Sequence, residues 1–386
     1  MPAKLSQKIT NVTIVMESGV LSNAVLMIQD GKIAYAGEDT GESCEDTFDG
    51  QGAVLVPGFI DLHVHGGAGS DFMDKSVEAV QAICQFHAAH GTTGLLATTM
   101  TAPMDATVDV LQFYNQLPET GGAAVLGVHM EGPFIHPELK GAQNGDWIEP
   151  ATLANIEQIL ETARPGLIKL ITLAPELIED DRVFARLKEQ GIIVSVGHST
   201  LDYHGGVCCL KKGVSHATHL GNAMKGLHHR NPNVIGLVME TPEMTFDLIA
   251  DGIHLAPEFI RLLTKICTPE QIMLITDAMR AAGLADGTYD LGGQEVIVRG
   301  NEARLADGVL AGSVLTMDVA LANLMRFANM PLEQAIRHVS INQAQKLGIA
   351  DHKGSIAKGK DADLVLLSAD MKVLATWVEG KKVYQA

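Results

Sequence analysis

Positive charge is scarce in this chain. It carries 28 Lys and Arg against 46 Asp and Glu, a formal charge of −18. Nucleic acid and anionic membranes are bound through basic patches, so neither is expected as a partner. An anionic small molecule would need local cations to overcome the same field. Cysteine is also sparse. Cys44, Cys84, Cys208, Cys209 and Cys267 are odd in number and form no CxxC pair. That argues against a disulfide framework and fits a reduced, cytoplasmic protein with buried thiols. Cys208-Cys209 reads as core packing rather than a metal pair, because adjacent residues point different ways. No run approaches the ~18 apolar residues of a membrane span. Residues 1–8 lack the apolar stretch of a signal peptide. A fixed-period repeat, a low-complexity linker and a coiled coil are all missing.

What is present is bulk and rhythm. The 386 residues are 46% hydrophobic and include 39 Gly, enough for one barrel of about 250 residues and a smaller module. Residues 9–15, 25–28 and 32–36 read as short strands, with Gln29-Asp30-Gly31 as a hairpin turn. From residue 58 strand and helix alternate. An apolar run ending at His65 is followed by strand signals at 91–99, 123–130, 167–173, 191–196, 214–218, 245–250 and 271–275. Helical stretches at 77–90, 153–163, 180–190 and 256–264 lie between several of them. This interleaving predicts a closed α/β barrel. Beyond it come a hairpin-like excursion at 287–303, helices at 313–328 and 332–347, and strands at 362–367, 373–378 and 380–384. The tail strands match the N-terminal ones in character. The expected architecture is a (β/α)8 TIM-type barrel over 57–345, flanked by a small β-sandwich built from both ends, 1–56 and 346–386.

Chemistry-bearing residues sit just past these strands, where a barrel of this kind carries its site. His63 and His65 are two apart on a strand and so share a face. Neutral imidazole suits zinc and iron, so the pair reads as half a metal site. Glu131 ends the run Val128-His129-Met130-Glu131 before Gly132-Pro133 breaks it, and its carboxylate can bind one metal or bridge two. His129 shares its face but lies deeper. His198 ends residues 192–198 and His219 ends 214–219. His216 and His219 are three apart, so only the later one is expected at the barrel mouth. Asp277 follows residues 272–276; it reads either as a helix N-cap or as a carboxylate that moves a proton beside the metal.

Taken together these motifs resemble the amidohydrolase superfamily, in its branch that deacetylates N-acetylated sugar phosphates. The resemblance runs nearly end to end, through PGFIDLHVHG (57–66), HMEGPFI (129–135), KGAQN (140–144), VGHS ending at Ser199, HATHLGNAM (216–224), HHRNPN (228–233), DGIHL (251–255), ITDAM (275–279), LAGS (310–313) and GSIAKGKDADLV (354–365). It implies a divalent metal ion (zinc, iron, manganese or cobalt), one or two per subunit, and usually a homodimer. Metal ligands map to Glu131, His198 and His219, and His63 with His65 make a second ion plausible. Asp277 maps to the catalytic acid/base, and His254 to substrate and oxyanion contact. Substrate contacts map to Ala142, Asn222, Ala223, Arg230 and the segment Leu310, Ala311 and Gly312. Gln143 stands where some members have His, which puts a sugar contact from that position in doubt.

The implied reaction is hydrolysis of the acetamide of N-acetyl-D-glucosamine 6-phosphate in amino sugar catabolism or recycling. Arg230, with its planar fork, would pair the phosphate. The galactosamine epimer stays open as substrate. Cyclic-amide hydrolysis usually uses a modified lysine at the end of the fourth strand, and Lys169 is too early for that. A sugar-phosphate-binding regulator without turnover would not need Asp277.

Overall fold

The computed structural model describes residues 7–386. The reading of a missing signal sequence falls largely on residues 1–6, outside the described residues. Among the described residues no helix is long and apolar enough to cross a membrane.

The described residues begin with β1 (Gln7–Met16), β2 (Gly19–Gln29), β3 (Lys32–Gly37), β4 (Asp46–Asp49) and β5 (Val54–Pro57). At Gly58 it crosses into β6 (Phe59–Val64), and a two-residue hairpin follows, β7 (Gly66–Gly67) with β8 (Ser70–Asp71). The series then continues as β9 (Thr92–Thr98), β10 (Ala124–Glu131), β11 (Ile168–Leu173), β12 (Ile193–Val196), β13 (Val214–Ala217), β14 (Thr245–Ile249) and β15 (Ile272–Ile275). In space β6 and β9 to β15 stand in chain order and every pairing between them is parallel. Such strands are covered on both faces, which is why they are rich in apolar residues: all of β6, β9 and β15 is buried.

The seam between first and last strand is closed by hydrogen bonds. Thr276 Oγ1 donates to Asp61 Oδ2 at 2.6 Å, the Asp277 N–H to the His63 carbonyl at 2.9 Å, and the His65 N–H to the Ala278 carbonyl at 2.8 Å. Burial pushes the Asp61 carboxyl up to about 7, against the hydrogen bonds from Thr276 and His63. The barrel is therefore shut at the point where three of the predicted site residues lie.

Helices cover the outside. Arg182–Glu189 buries Val183, Phe184 and Leu187, and Pro257–Ile266 buries Ile260 and Leu263, each the stripe of an amphipathic helix. The excursion is richer than the expected hairpin. It is a three-stranded antiparallel sheet of β16 (Gly287–Leu291), β17 (Gln294–Arg299) and β18 (Glu302–Leu305). Its Leu291, Val296, Val298 and Ala303 pack with Met100, Met279 and Ala311 beside the barrel mouth.

Two predicted helices are shorter or broken. The stretch 313–328 becomes helical only at Met317–Ala328. The stretch 332–347 splits into Leu332–Ala335, a 3-10 turn Ile336–Val339 and Ile341–Lys346. The cause lies in its amides: Asn342 Nδ2 donates to the Ile272 carbonyl and Gln343 Nε2 to the Leu274 carbonyl. These bonds tie the segment to β15, and a single straight helix is not kept.

The two ends meet in one mixed sheet. β19 (Leu364–Leu367), β20 (Val373–Val378) and β21 (Lys381–Gln385) join it through β19 and β5, in the order β21-β20-β19-β5-β1-β2-β3, with β4 on β1. It encloses its own core of Ile9, Ile14, Leu26, Ile33, Leu55, Leu364, Leu366 and Trp377, separate from the barrel core. Cysteine burial departs from the expectation in part: Cys84, Cys209 and Cys267 are buried, Cys44 is half-buried and Cys208 is exposed.

Candidate metal centre

Among the described residues, two groups of three side chains offer ligand atoms within 4.8 Å of one another: Glu131, His198 and His219, and His63, His65 and Asp277. All six are buried. Each stands at or just past the C-terminal end of a barrel strand. Alternation along β6 brings His63 and His65 to one side, with their Nε2 atoms 3.1 Å apart.

The last three placements depend on the backbone. His198, His219 and Asp277 have φ of 48°, 31° and 50°. For residues with a Cβ that conformation costs about 1–3 kcal/mol each, the kind of strain that collects at functional sites. It turns each side chain off its strand line and over the mouth, which strand parity alone does not foresee. Asp277 leads into turns rather than a helix, so the N-cap alternative falls away. Gly132 lets the chain leave Glu131 sharply: its φ is +72°, and a Cβ there would lie 2.1 Å from Thr101 Oγ1.

Glu131 is the hinge of the arrangement. Its Oε1 lies 3.1 Å from His198 Nε2, 3.0 Å from His219 Nε2 and 3.5 Å from His63 Nε2; its Oε2 lies 3.3 Å from His65 Nε2. Asp277 Oδ1 faces His63 and His65 Nε2 at 3.4 and 3.3 Å. His198 Nε2 and His219 Nε2 are 3.2 Å apart. Triangles with such edges suit N and O ligands held about 2.0–2.2 Å from one ion. His198 pairs its Nδ1 with the Leu139 carbonyl at 2.9 Å, which puts the proton on Nδ1 and aims the Nε2 lone pair inward.

The electrostatics agree with a cation site. Burial alone would raise both carboxyls, yet the His63 and His198 imidazoles hold Glu131 well below the usual range. Likewise His63 and the hydrogen bond from His65 bring Asp277 to about 2. Burial disfavours a charged His65, but Asp277 and Glu131 outweigh it and lift the imidazole to about 10. A divalent cation competes with protons for such groups, which is the linkage expected of a metal site. His129 is different. Its Nδ1 faces the Leu62 carbonyl at 2.9 Å, its Nε2 the Thr172 hydroxyl at 2.7 Å, and burial keeps it neutral. It is part of the barrel interior. His216 points down to Asp247 at 2.9 Å.

A cavity of ≈ 470 Å³ opens over both groups. Of the residues singled out from sequence, His65, Glu131, Ala142, His198, His219, Asn222, Ala223, His254, Asp277, Leu310 and Gly312 line it. His63 lies beneath, fully buried. Ala311 is buried behind the wall. Arg230 does not line the cavity; it stands on an exposed loop with its Nη1 2.9 Å from His229 Nε2. Lys140, Gln143 and Asp307 line the cavity without having been singled out as site residues. Lys140 and Gln143 lie inside the KGAQN motif, and that was the available signal. Asp251 orients His254: its Oδ2 faces His254 Nδ1 at 2.6 Å. Burial would raise the Asp251 carboxyl, but the His254 hydrogen bond brings it below its ordinary range. Lys169, second residue of β11, sits beside Gly127 and Gly166, far along the strand from the Glu131 level.

Residues 54–383 match the amidohydrolase family. The chain belongs to the amidohydrolase family. This amidohydrolase is 40% identical over 380 residues to the N-acetylglucosamine-6-phosphate deacetylase of Bacillus subtilis (strain 168), covering 96% of each chain. It is 35% identical over 367 residues to the N-acetylgalactosamine-6-phosphate deacetylase of Escherichia coli O157:H7, covering 95% of this chain and 96% of that one. It superposes with a TM-score of 0.92 on the N-acetyl-D-glucosamine-6-phosphate deacetylase of Mycobacterium smegmatis, a mutant solved in complex with N-acetyl-D-glucosamine-6-phosphate. That match is 28% identical and covers 99% of this chain and 100% of the other.

Proposed function

We propose that this amidohydrolase cleaves the acetamide of N-acetyl-D-glucosamine 6-phosphate, releasing acetate and D-glucosamine 6-phosphate in amino sugar catabolism or recycling. The observation that carries it is the facing pair, Glu131/His198/His219 against His63/His65/Asp277, on the floor of one cavity. The relatives' names supply the substrate class.

Glu131, His198 and His219 would hold one divalent ion, and His63, His65 and Asp277 a second. The chemistry such an ion supplies is a lowered pKa for bound water and a polarised carbonyl oxygen. Asp277, ionised across the physiological range, accepts the proton of the attacking water and returns it to the departing amine nitrogen. Asp251 occupies His254 Nδ1, so Nε2 addresses the cavity and, when protonated, donates to the oxyanion where charge develops. Ala142, Asn222, Ala223 and the segment Leu310, Ala311 and Gly312 frame the sugar. Lys140 is the ammonium in the lining, and Arg230 is assigned to the phosphate from the exposed loop. The division into 1–56, 57–345 and 346–386 is supported by the crossing at Gly58 and by the separate core of the terminal sheet. The homodimer and the cytoplasmic setting belong to the same proposal. The free cysteines fit a reducing compartment.

Galactosamine as the sugar is favoured by the name of the Escherichia coli relative. Acetate release from both epimers, with and without chelator, tests the proposal. Turnover of the gluco epimer should be faster and lost on chelation. No acetate, or release indifferent to chelator, would reject the proposal, and faster galacto turnover would change the sugar.

A further inference from the structure

Gln143 is buried, lines the cavity, and is fixed at both ends of its amide. Its Oε1 accepts the Thr101 N–H at 2.7 Å, and its Nε2 donates to Glu131 Oε2 at 2.6 Å. The orientation is dictated by chemistry, since a backbone N–H only donates and an ionised carboxylate only accepts. Thr101 follows β9 at the barrel mouth, so the amide is strapped to the scaffold rather than free to turn toward a ligand.

The oxygen it holds is the informative one. Glu131 Oε1 lies nearest His198 and His219, at 3.1 and 3.0 Å, with His63 farther off at 3.5 Å, while Oε2 faces His65 of the other group at 3.3 Å. A carboxylate on a flexible terminal torsion can rotate and give both oxygens to a single ion. The Gln143 hydrogen bond opposes that rotation. Oε2 keeps a second lone-pair direction for a partner on the His65 side. We propose that Gln143 is a positioning residue that holds Glu131 in a bridging pose, one oxygen per ligand group, and so permits the His63/His65/Asp277 group to take its own ion. This rests on the metal-dependent reading above, but not on which sugar is cleaved. It also accounts for Gln143 without a sugar contact: each end of its amide is already engaged by protein.

The test is metal binding without substrate. Chelated wild type, Gln143→Met (similar shape, no amide) and Gln143→Asn (an amide too short to span both partners) are titrated with Zn²⁺ against a competing chelator. Wild type should take two ions per chain. Both variants should keep the first at wild-type affinity and bind the second about 10–100-fold more weakly, the usual effect of removing an outer-shell partner. Thermal melts of the metal-free proteins identify a variant that fails to fold, and the other then carries the measurement. Two ions bound by Gln143→Met at wild-type affinity, with KM for the sugar phosphate raised, would overturn the assignment and make Gln143 a substrate contact. A single ion on the wild type overturns it as well. Failure of the metal reading itself shows separately, as turnover that chelator leaves intact.

Discussion

Two places in this molecule gather buried charge, and they do so in opposite ways. In the terminal sheet, Lys353 is 7% exposed and meets Asp363 at 2.8 Å, Asp361 at 3.0 Å and Glu379 at 3.3 Å. Asp361 also takes Lys32 at 2.8 Å, and Asp363 Oδ1 accepts the Glu379 N–H at 2.8 Å. Every charge there has an opposite, and the cluster is complete. At the barrel mouth imidazole nitrogens face one another at 3.1 and 3.2 Å, while His63, His65 and His219 leave Nδ1 without a hydrogen-bond partner. The Nε2 atoms converge there with the Glu131 and Asp277 carboxylates, a donor set that a cation can take. The satisfied cluster holds the structure together, and the unsatisfied one calls for a ligand.

The contrast can be broken at either end. The largest effect is expected from Asp277→Asn, which should lower kcat by about 10³–10⁴-fold as proton transfer is lost. The ion at Glu131, His198 and His219 should be kept and melting temperature should stay near wild type, while the group that contains Asp277 binds its ion more weakly; near-normal turnover would remove Asp277 from the proton path. Lys353→Ala should do the reverse. It strands the buried Asp363 carboxylate, Asp361 keeping Lys32, and should cost about 3–5 kcal/mol in denaturant unfolding, while kcat of the folded protein is unchanged. A loss of kcat without a loss of stability would erase the distinction between the two clusters.

A third expectation concerns acid. Burial lowers the His338 pKa to about 4, against its hydrogen bond to the Ile272 carbonyl. The unfolded chain takes up that proton near pH 6.5. The stabilisation is therefore whole above about pH 6.5 and is lost as pH falls toward 4, up to about 3 kcal/mol. Denaturant melts at pH 7 and pH 5 should show the loss, and His338→Gln should flatten part of it. An unaltered slope would mean that His338 is protonated in the fold. The smallest effect is at the phosphate: Arg230→Ala should raise KM about tenfold, or about 1.4 kcal/mol, with kcat little changed. An unchanged KM, with the rise found in Lys140→Ala instead, moves the contact to the cavity lining.

Much of this architecture is legible before any coordinates. The strand runs are long, apolar and regularly spaced because parallel barrel strands are buried on both faces, so their number and order can be read directly. The six candidate site residues stand out because each interrupts or ends such a run with a group that has no place in a core. The helix at 332–347 misled because its amides bond sideways to β15, a competition that no periodicity records. Asp307 carries no such signal, because it lies in a loop outside any of the motifs.

Patterning along the chain decided the barrel, the mixed origin of the terminal sheet and the identity of the imidazoles and carboxylates, since burial and alternation are local properties that survive in the order of residues. Only the folded chain decided that His198, His219 and Asp277 turn through left-handed backbone to meet His63 and His65, that Gln143 grips Glu131, and that Arg230 stands outside the cavity. Those facts depend on distances between segments far apart along the polypeptide, and such distances exist only once the barrel closes.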